Sequence, residues 1–392
     1  MFLQGPRSKL FVTGDPGVGK TTLVEKLTKY LSKINLPFKI RGFFTKEIRE
    51  NSKRKGFKII DPFLSKEFLL AKRKDLVNPS ESINTYHTVG KYAVFLEGLE
   101  TLLEEYKKDL IDGAQVFWVI DEVGKMEALS KSFCHFIEKL LGSSCFLLAT
   151  VGKGETPFLK KVFSFEPALR CEVTTENRDF LEERLKIEFK RKGKLIVFEG
   201  IDGAGKTTVS KLLVKALEDQ GVSVFWGCEP TSQGPYGKVL REKLQQREAH
   251  PLEIKQLFLK DREWNVKNFI LPKLKEGAWI VLDRYYLSTL SYQGAQGFDL
   301  KSLFIKNETI APLPDLVVYL DLTIDEALKR LNSTRDNLTF FEKTEFLTKV
   351  RENYLKILPW FNHVKLDATK PLEENLNYLI ETLHRKFKSS LS

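Results

Sequence analysis

The chain has 392 residues, 42% of them hydrophobic and 29% charged, with a formal net charge of +11. That length predicts two or three domains with separate cores, and the composition excludes a disordered or fibrous protein. There is no apolar run of the ~18 residues a membrane helix needs, no signal-peptide architecture and no C-x-x-C pair, so a reduced, cytoplasmic protein without a transition-metal site is expected.

In chain order, residues 10–13 read as a buried strand that runs into GDPGVGKTT: Gly14, Asp15, Pro16, Gly17, Val18, Gly19, Lys20, Thr21 and Thr22. Leu23, Leu27, Tyr30 and Leu31 then recur on one helical face. Residues 51–80 are β-rich and read as a small hairpin insertion, and residues 92–109 show helical periodicity. Residues 116–120 form an apolar strand ending at Asp121 and Glu122, and 145–151 form another. The basic run 184–194 marks a boundary, dividing the chain into 1–188 and 189–392. Residues 195–198 form a strand entering a second glycine-rich loop: Gly200, Ile201, Asp202, Gly203, Ala204, Gly205, Lys206, Thr207 and Thr208. Val209, Leu212, Leu213, Ala216 and Leu217 follow at helical spacing. Strands are expected at 222–226, 279–282 and 316–320, and a helix over 253–275. Short buried strands alternating with helices predict an α/β chain of two domains, each a mainly parallel sheet flanked by helices.

Each glycine-rich segment is a strand–G-x-x-x-x-G-K-T–helix unit, the form of a P-loop. Its glycines turn backbone N–H groups around phosphate oxygens at a helix N-terminus. Lys20 and Lys206 are expected at the terminal phosphates, with Mg²⁺ held by Thr21 and Asp121 in one half and by Thr207 and Asp283 in the other. The basic surplus suits anionic nucleotides, and no helix-turn-helix, zinc-finger or RNP pattern points to nucleic acid. Glu122 can orient or deprotonate an attacking water, and the first half shows no series of acceptor-binding residues, so hydrolysis is expected there. Lys125 and Arg178 are charge-stabiliser candidates, with solvated-surface or packing roles as the plain alternative. In the second half Arg284 can clamp a phosphate, while Phe258 and Arg262, at i and i+4, can address one flat base.

The string DRYYLSTLSYQG from Asp283, with FLKDR at 258–262, CEPTSQGPY, PDLVVYLDLT and LDAT, resembles thymidylate kinase from about Lys194 onward. The resemblance implies ATP as phosphoryl donor, dTMP as acceptor and self-association as a dimer. It places Phe258 on thymine, Arg262 at its carbonyl edge, and Asp202 near the sugar 3′-hydroxyl and the phosphates. Tyr292 falls where a ribose 2′-hydroxyl would clash, and Ser288, Thr289 and Gln293 fall in the base pocket. Two departures stand out: Cys228 replaces a frequent Arg, and Gly203 stands where some relatives carry a P-loop Arg. The transition-state cation is therefore expected from the lid, Arg335 first and Arg330 second. GFFTKEIRE, DEVGKME and TTENRD make residues 5–185 similar to the THEP-type nucleoside-triphosphatases. The alternative for this half is a non-catalytic, regulatory nucleotide sensor.

Overall fold

A computed structural model describes residues 7–34, 36–77, 86–111, 116–152, 154, 156–246, 250–332 and 344–391. The chain divides into two compact units, Arg7–Lys186 and Ile187–Ser392.

The first unit runs β1 (Lys9–Thr13), α1 (Lys20–Leu31), β2 (Lys39–Glu50), β3 (Lys53–Asp61), β4 (Lys66–Arg73), β5 (His87–Val89), β6 (Tyr92–Val94) and α2 (Glu97–Ile111). It continues with β7 (Val116–Val123), α3 (Lys131–Gly142), β8 (Phe146–Val151), α4 (Pro157–Phe163), β9 (Leu169–Glu172) and the start of α5 (Arg178–Lys190). These strands form one sheet in the order β5-β6-β4-β3-β2-β7-β8-β1-β9. From β2 to β9 the pairs are parallel; from β2 outward to β5 they are antiparallel. Strand β2 serves both halves of the sheet. Lys39–Phe44 pairs with β7, and Phe44–Glu50 pairs with β3. Tyr106, Trp118 and Phe136 meet edge to face or tilted at the centre of the core, with centroids 5.2 Å apart for both Trp118 pairs.

The hairpin expected at 51–80 is present as β3–β4, extended by β5 and β6. The helix expected from 92 begins only at Glu97. Tyr92, Ala93 and Val94 are all buried and pair with Ala71–Arg73 of β4, so an available sheet edge overrides a weak helical period. Glu97 and Glu100 then occupy the first turn of α2, where the helix dipole favours them.

The second unit has β10 (Leu195–Glu199), α6 (Lys206–Asp219), β11 (Val224–Cys228), α7 (Pro235–Gln246), α8 (Pro251–Asn265), a π turn, α9 (Leu271–Glu276), β12 (Trp279–Asp283) and α10 (Tyr286–Ala295). Then come α11 (Leu300–Ile310), β13 (Leu316–Asp321), α12 (Ile324–Asn332), α13 (Thr344–Ile357), β14 (His363–Asp367) and α14 (Leu372–Leu391). Its five strands are parallel in the order β11-β12-β10-β13-β14, and helices bury the unbroken apolar runs of the inner ones. The loop-bearing strand β10 is central and lies directly beside β12. In the first unit β1 is separated from β7 by β8.

Candidate active sites

Both glycine-rich loops are closed in the same way. Gly14 (φ 146°) and Gly200 (φ 144°) occupy backbone conformations that disfavour side chains. A Cβ on them would stand 2.4 Å from the Val173 carbonyl oxygen and 2.6 Å from that of Leu320. Lys20 Nζ donates to the carbonyls of Gly14 (3.0 Å) and Asp15 (2.9 Å), and Lys206 Nζ to that of Ile201 (2.8 Å), so both ammonium groups rest on their own loops. Burial, with the Arg284 charge nearby, pulls Lys206 down to about 8.

In the first unit Asp121 is buried at the end of β7. Thr150 on the intervening β8 donates to Oδ1 at 2.5 Å, and both this hydroxyl and that of Thr21 favour the charged form. Burial nevertheless raises this carboxyl to about 6. Its Oδ2 is buried with no hydrogen-bond partner, an orphan of the kind that calls for an ion. The β7–β8 register shifts between Ile120 and Val123, and such a bulge re-aims side chains. Glu122 sits in that bulge, its Oε1 3.3 Å from where a Gly152 Cβ would stand. Burial raises its carboxyl while the Lys20 charge lowers it.

The sequence reading missed Glu127. It is buried in the 3₁₀ turn Glu127–Leu129, and its Oε1 accepts from the Thr45 hydroxyl at 2.9 Å. Burial first, then the Glu122 charge, raise it to about 8, so it is held as the neutral acid. Glu127 thus joins GFFTKEIRE to DEVGKME, a pairing invisible until β2 and β7 lie side by side. Of the two charge-stabiliser candidates, Lys125 is exposed, and Arg178 lies against the loop with Cδ 3.7 Å from where a Gly19 Cβ would stand.

In the second unit Thr207 donates to Asp283 Oδ2, and Asp283 Oδ1 is buried without a partner. A cavity of about 590 Å³ opens beside this pair, and Asp202, Phe258, Arg262, Arg284, Ser288, Thr289, Tyr292 and Gln293 all line it. Arg284 has φ 70°, a conformation that non-glycine residues adopt rarely and chiefly where function holds them. Its guanidinium binds Asp202 and Ser288 Oγ (3.1 Å) and stacks 5.3 Å from the Tyr292 ring, whose hydroxyl donates to Asp202 at 3.0 Å. Phe258 is half-buried with its ring on the cavity. Both amide atoms of Gln293 are buried and unpartnered.

Two residues are engaged differently from expectation. Arg262 is a buried anchor: Nε and Nη2 hold Glu229 Oε2 (2.9 and 2.7 Å), Nη2 also holds Thr289 Oγ1 (3.0 Å), and Nη1 holds Asn307. Little of its hydrogen-bonding capacity is left for a ligand, so its first effect is to fix Glu229 and Thr289. The Ser288 hydroxyl donates to Glu199 at 2.6 Å. Glu199, raised to about 7 by burial, also accepts from the backbone of Tyr285 (2.8 Å) and Ser288 (3.3 Å) and from Tyr354 (2.9 Å), which pins the DRYYLS turn to β10. Arg335 lies outside the described residues. Arg330 reaches the second loop, with Nη1 3.4 Å from the Gly203 carbonyl and Nη2 donating to that of Ala368 at 2.9 Å. Gly203 has φ 83°, and a Cβ on it would press on the Ala327 carbonyl oxygen of α12 at 3.2 Å.

A family model described as thymidylate kinase matches residues 198–378, over the strand, loop and cavity just described. The thymidylate kinase of Akkermansia muciniphila is 43% identical over 182 residues, 46% of this chain and 87% of that protein. This chain belongs to the thymidylate kinase family. It does so through its second half, where the probable thymidylate kinases of Archaeoglobus fulgidus (42% identical, 46% of this chain, 89% of that protein) and Pyrococcus horikoshii (42%, 47% and 92%) also align. A second family model, described as NTPase, matches residues 9–186. The chain is a fusion of an NTPase-family domain with a thymidylate kinase domain, both α/β P-loop units. Among the described residues no helix is long and apolar enough to cross a membrane.

Glu127 generates a pH prediction. Its folded value of about 8 lies above the ordinary 4.5, so the unfolded chain loses this proton first and stability falls as pH rises from 4.5 toward 8. Glu127→Gln keeps the Thr45 bond and removes the penalty. Chemical denaturation should find the variant more stable by up to about 4 kcal/mol at pH 8, with no difference near pH 4.5. A constant difference at all pH values would show that Glu127 does not carry the proton.

Proposed function

We propose that the second half transfers the γ-phosphoryl group of ATP to dTMP, and that the first half hydrolyses nucleoside triphosphates to diphosphate and phosphate. One observation carries the division of labour: the residue that follows each aspartate with an orphaned oxygen. After Asp283 comes Arg284, a cation lining the cavity of about 590 Å³. After Asp121 comes Glu122, a carboxylate beside the loop lysine.

A buried carboxylate oxygen without a partner, next to a loop threonine, suits a hard divalent cation with oxygen ligands. Thr21 and Asp121 would hold Mg²⁺ in the first half, Thr207 and Asp283 in the second. When bound, the ion neutralises charge on the phosphate oxygens. The chain's own groups supply the rest.

In the second half Lys206 leaves the Ile201 carbonyl for the transferred phosphoryl group, and Arg284 takes the acceptor phosphate, its direction fixed by Asp202 and Tyr292. Phe258 offers a face for thymine and Gln293 a free amide for its edge. The Tyr292 ring, braced by Asp202, stands where a ribose 2′-hydroxyl would fall. Arg330, or Arg335 from the lid, adds positive charge in the transition state.

In the first half β8 lies between β1 and β7, and Glu122 sits at the irregularity of β7, within reach of the Lys20 charge. A water beyond the terminal phosphate would give its proton to Glu122. Neutral Glu127 beside it keeps a third negative charge out of the site.

A panel of acceptors tests the kinase half: dTMP should be best, dUMP weaker, and UMP and dCMP poor. A better rate with dCMP or with thymidine contradicts the assignment. Gln293→Ala should raise KM for dTMP while leaving the ligand-free domain as stable or more stable, because an unsatisfied buried amide costs about 1–3 kcal/mol. A variant that loses stability and keeps its KM contradicts the role given to Gln293. Glu122→Gln should lower phosphate release by about 10²–10⁴-fold with nucleotide binding retained. Near-normal release would remove Glu122 as the base and favour the regulatory-sensor reading.

A further inference from the structure

Beside the first loop lies a second, smaller cavity of about 240 Å³, bounded by Gly19, Thr22, Leu23, Arg178 and Asp179 and by the Lys26–Glu182 ion pair. We propose that this cavity receives the nucleoside end of the triphosphate, with the base lying on the plane of the Arg178 guanidinium. The inference rests on the nucleotide-binding reading of the first loop and adds to it where the base goes and how it is chosen.

The polarity of the loop fixes the direction. Lys20 lies over the Gly14 and Asp15 carbonyls and feels Glu122, which marks that end as the place of the terminal phosphate. Gly19 and Thr22 lie at the other end, at the start of α1, and the cavity opens there. A triphosphate laid along the loop therefore delivers its sugar and base toward Arg178.

The walls suit a flat ring. Leu23 is buried and gives an apolar floor. Arg178 is exposed, its Cδ and Nη1 3.7 and 3.9 Å from where a Gly19 Cβ would stand, and no hydrogen bond or ion pair among the described residues turns its plane away. A guanidinium plane stacks on any base, since every base has a π face. The residues around the cavity include no asparagine or glutamine to read a base edge. Asp179, one turn before Glu182 on α5, makes no ion pair among the described residues and offers an acceptor to sugar hydroxyls, whereas Glu182 is occupied by Lys26 and Lys186. The site therefore selects for the presence of a base and sugar and tolerates different bases.

The test is equilibrium titration of the intact chain, its second loop disabled by Lys206→Ala, with the non-hydrolysable β,γ-imido analogues of ATP and GTP and with tripolyphosphate, all with Mg²⁺. Lys20→Ala identifies the signal of the first loop. Arg178→Ala should weaken both analogues by about 5- to 150-fold, the scale of one base-stacking contact, and change tripolyphosphate affinity by less than about threefold. Arg178→Lys should behave like Arg178→Ala, because an ammonium has no plane to stack. An equal loss for tripolyphosphate would overturn the proposal by placing Arg178 on the phosphates. So would unchanged affinity for the analogues, or an ATP analogue bound far more tightly than the GTP analogue. Because the probes are not hydrolysed, a first half that binds nucleotide without releasing phosphate refutes the hydrolase reading and leaves this test standing.

Discussion

The pairing of a loop threonine with a strand-end aspartate, one of whose oxygens stays unbonded, is the constraint on which both halves of this protein depend. A buried carboxylate without a full set of partners is costly. Both units keep one, Asp121 Oδ2 and Asp283 Oδ1, at the mouth of a phosphate-binding loop. The surroundings are arranged around that cost. Thr150 holds Asp121 near Thr21, Thr207 holds Asp283, and the flanking strands bring each aspartate to its loop.

The same core device has different neighbours in the two units. In the second unit β12 pairs directly with β10, and Arg284 follows Asp283 into a cavity walled by α8 and α10. Its positive charge, held by Asp202 and Tyr292, is suited to a second phosphate. In the first unit β8 is inserted between β1 and β7, and a bulge re-aims Glu122. One inserted strand and one change of charge after the aspartate distinguish the two sites. Around these centres, buried polar groups hold neighbouring elements together: Glu199 ties the DRYYLS turn to β10 and α13, and Arg262 ties Glu229 to Asn307 and Thr289.

The glycine-rich loops and the inner strands were legible in the sequence because each depends on local spacing, and most residues of the cavity were named through the resemblance to thymidylate kinase. Phe258 and Arg262 share a helix face, and DRYYLSTLSYQG places Arg284, Ser288, Thr289, Tyr292 and Gln293 on one turn and one helix. What stayed hidden needed the tertiary arrangement. Glu127 meets Thr45 only because β2 and β7 are neighbours, and Thr150 reaches Asp121 only because β8 is inserted. That Arg262 spends its guanidinium on Glu229 follows from a contact 33 residues away, which no periodicity encodes. The short strand β6 was read as helix because three residues carry too little pattern to reveal the sheet edge they complete.

The central claim is that one chain carries two separate catalytic sites built on the same loop. Its most direct test is a crossed measurement on the intact protein, following dTMP-dependent ADP formation and dTMP-independent phosphate release in Lys20→Ala and Lys206→Ala. Lys206→Ala should abolish the first activity and leave the second nearly intact, and Lys20→Ala should do the reverse. Loss of both activities in either folded variant would contradict the account.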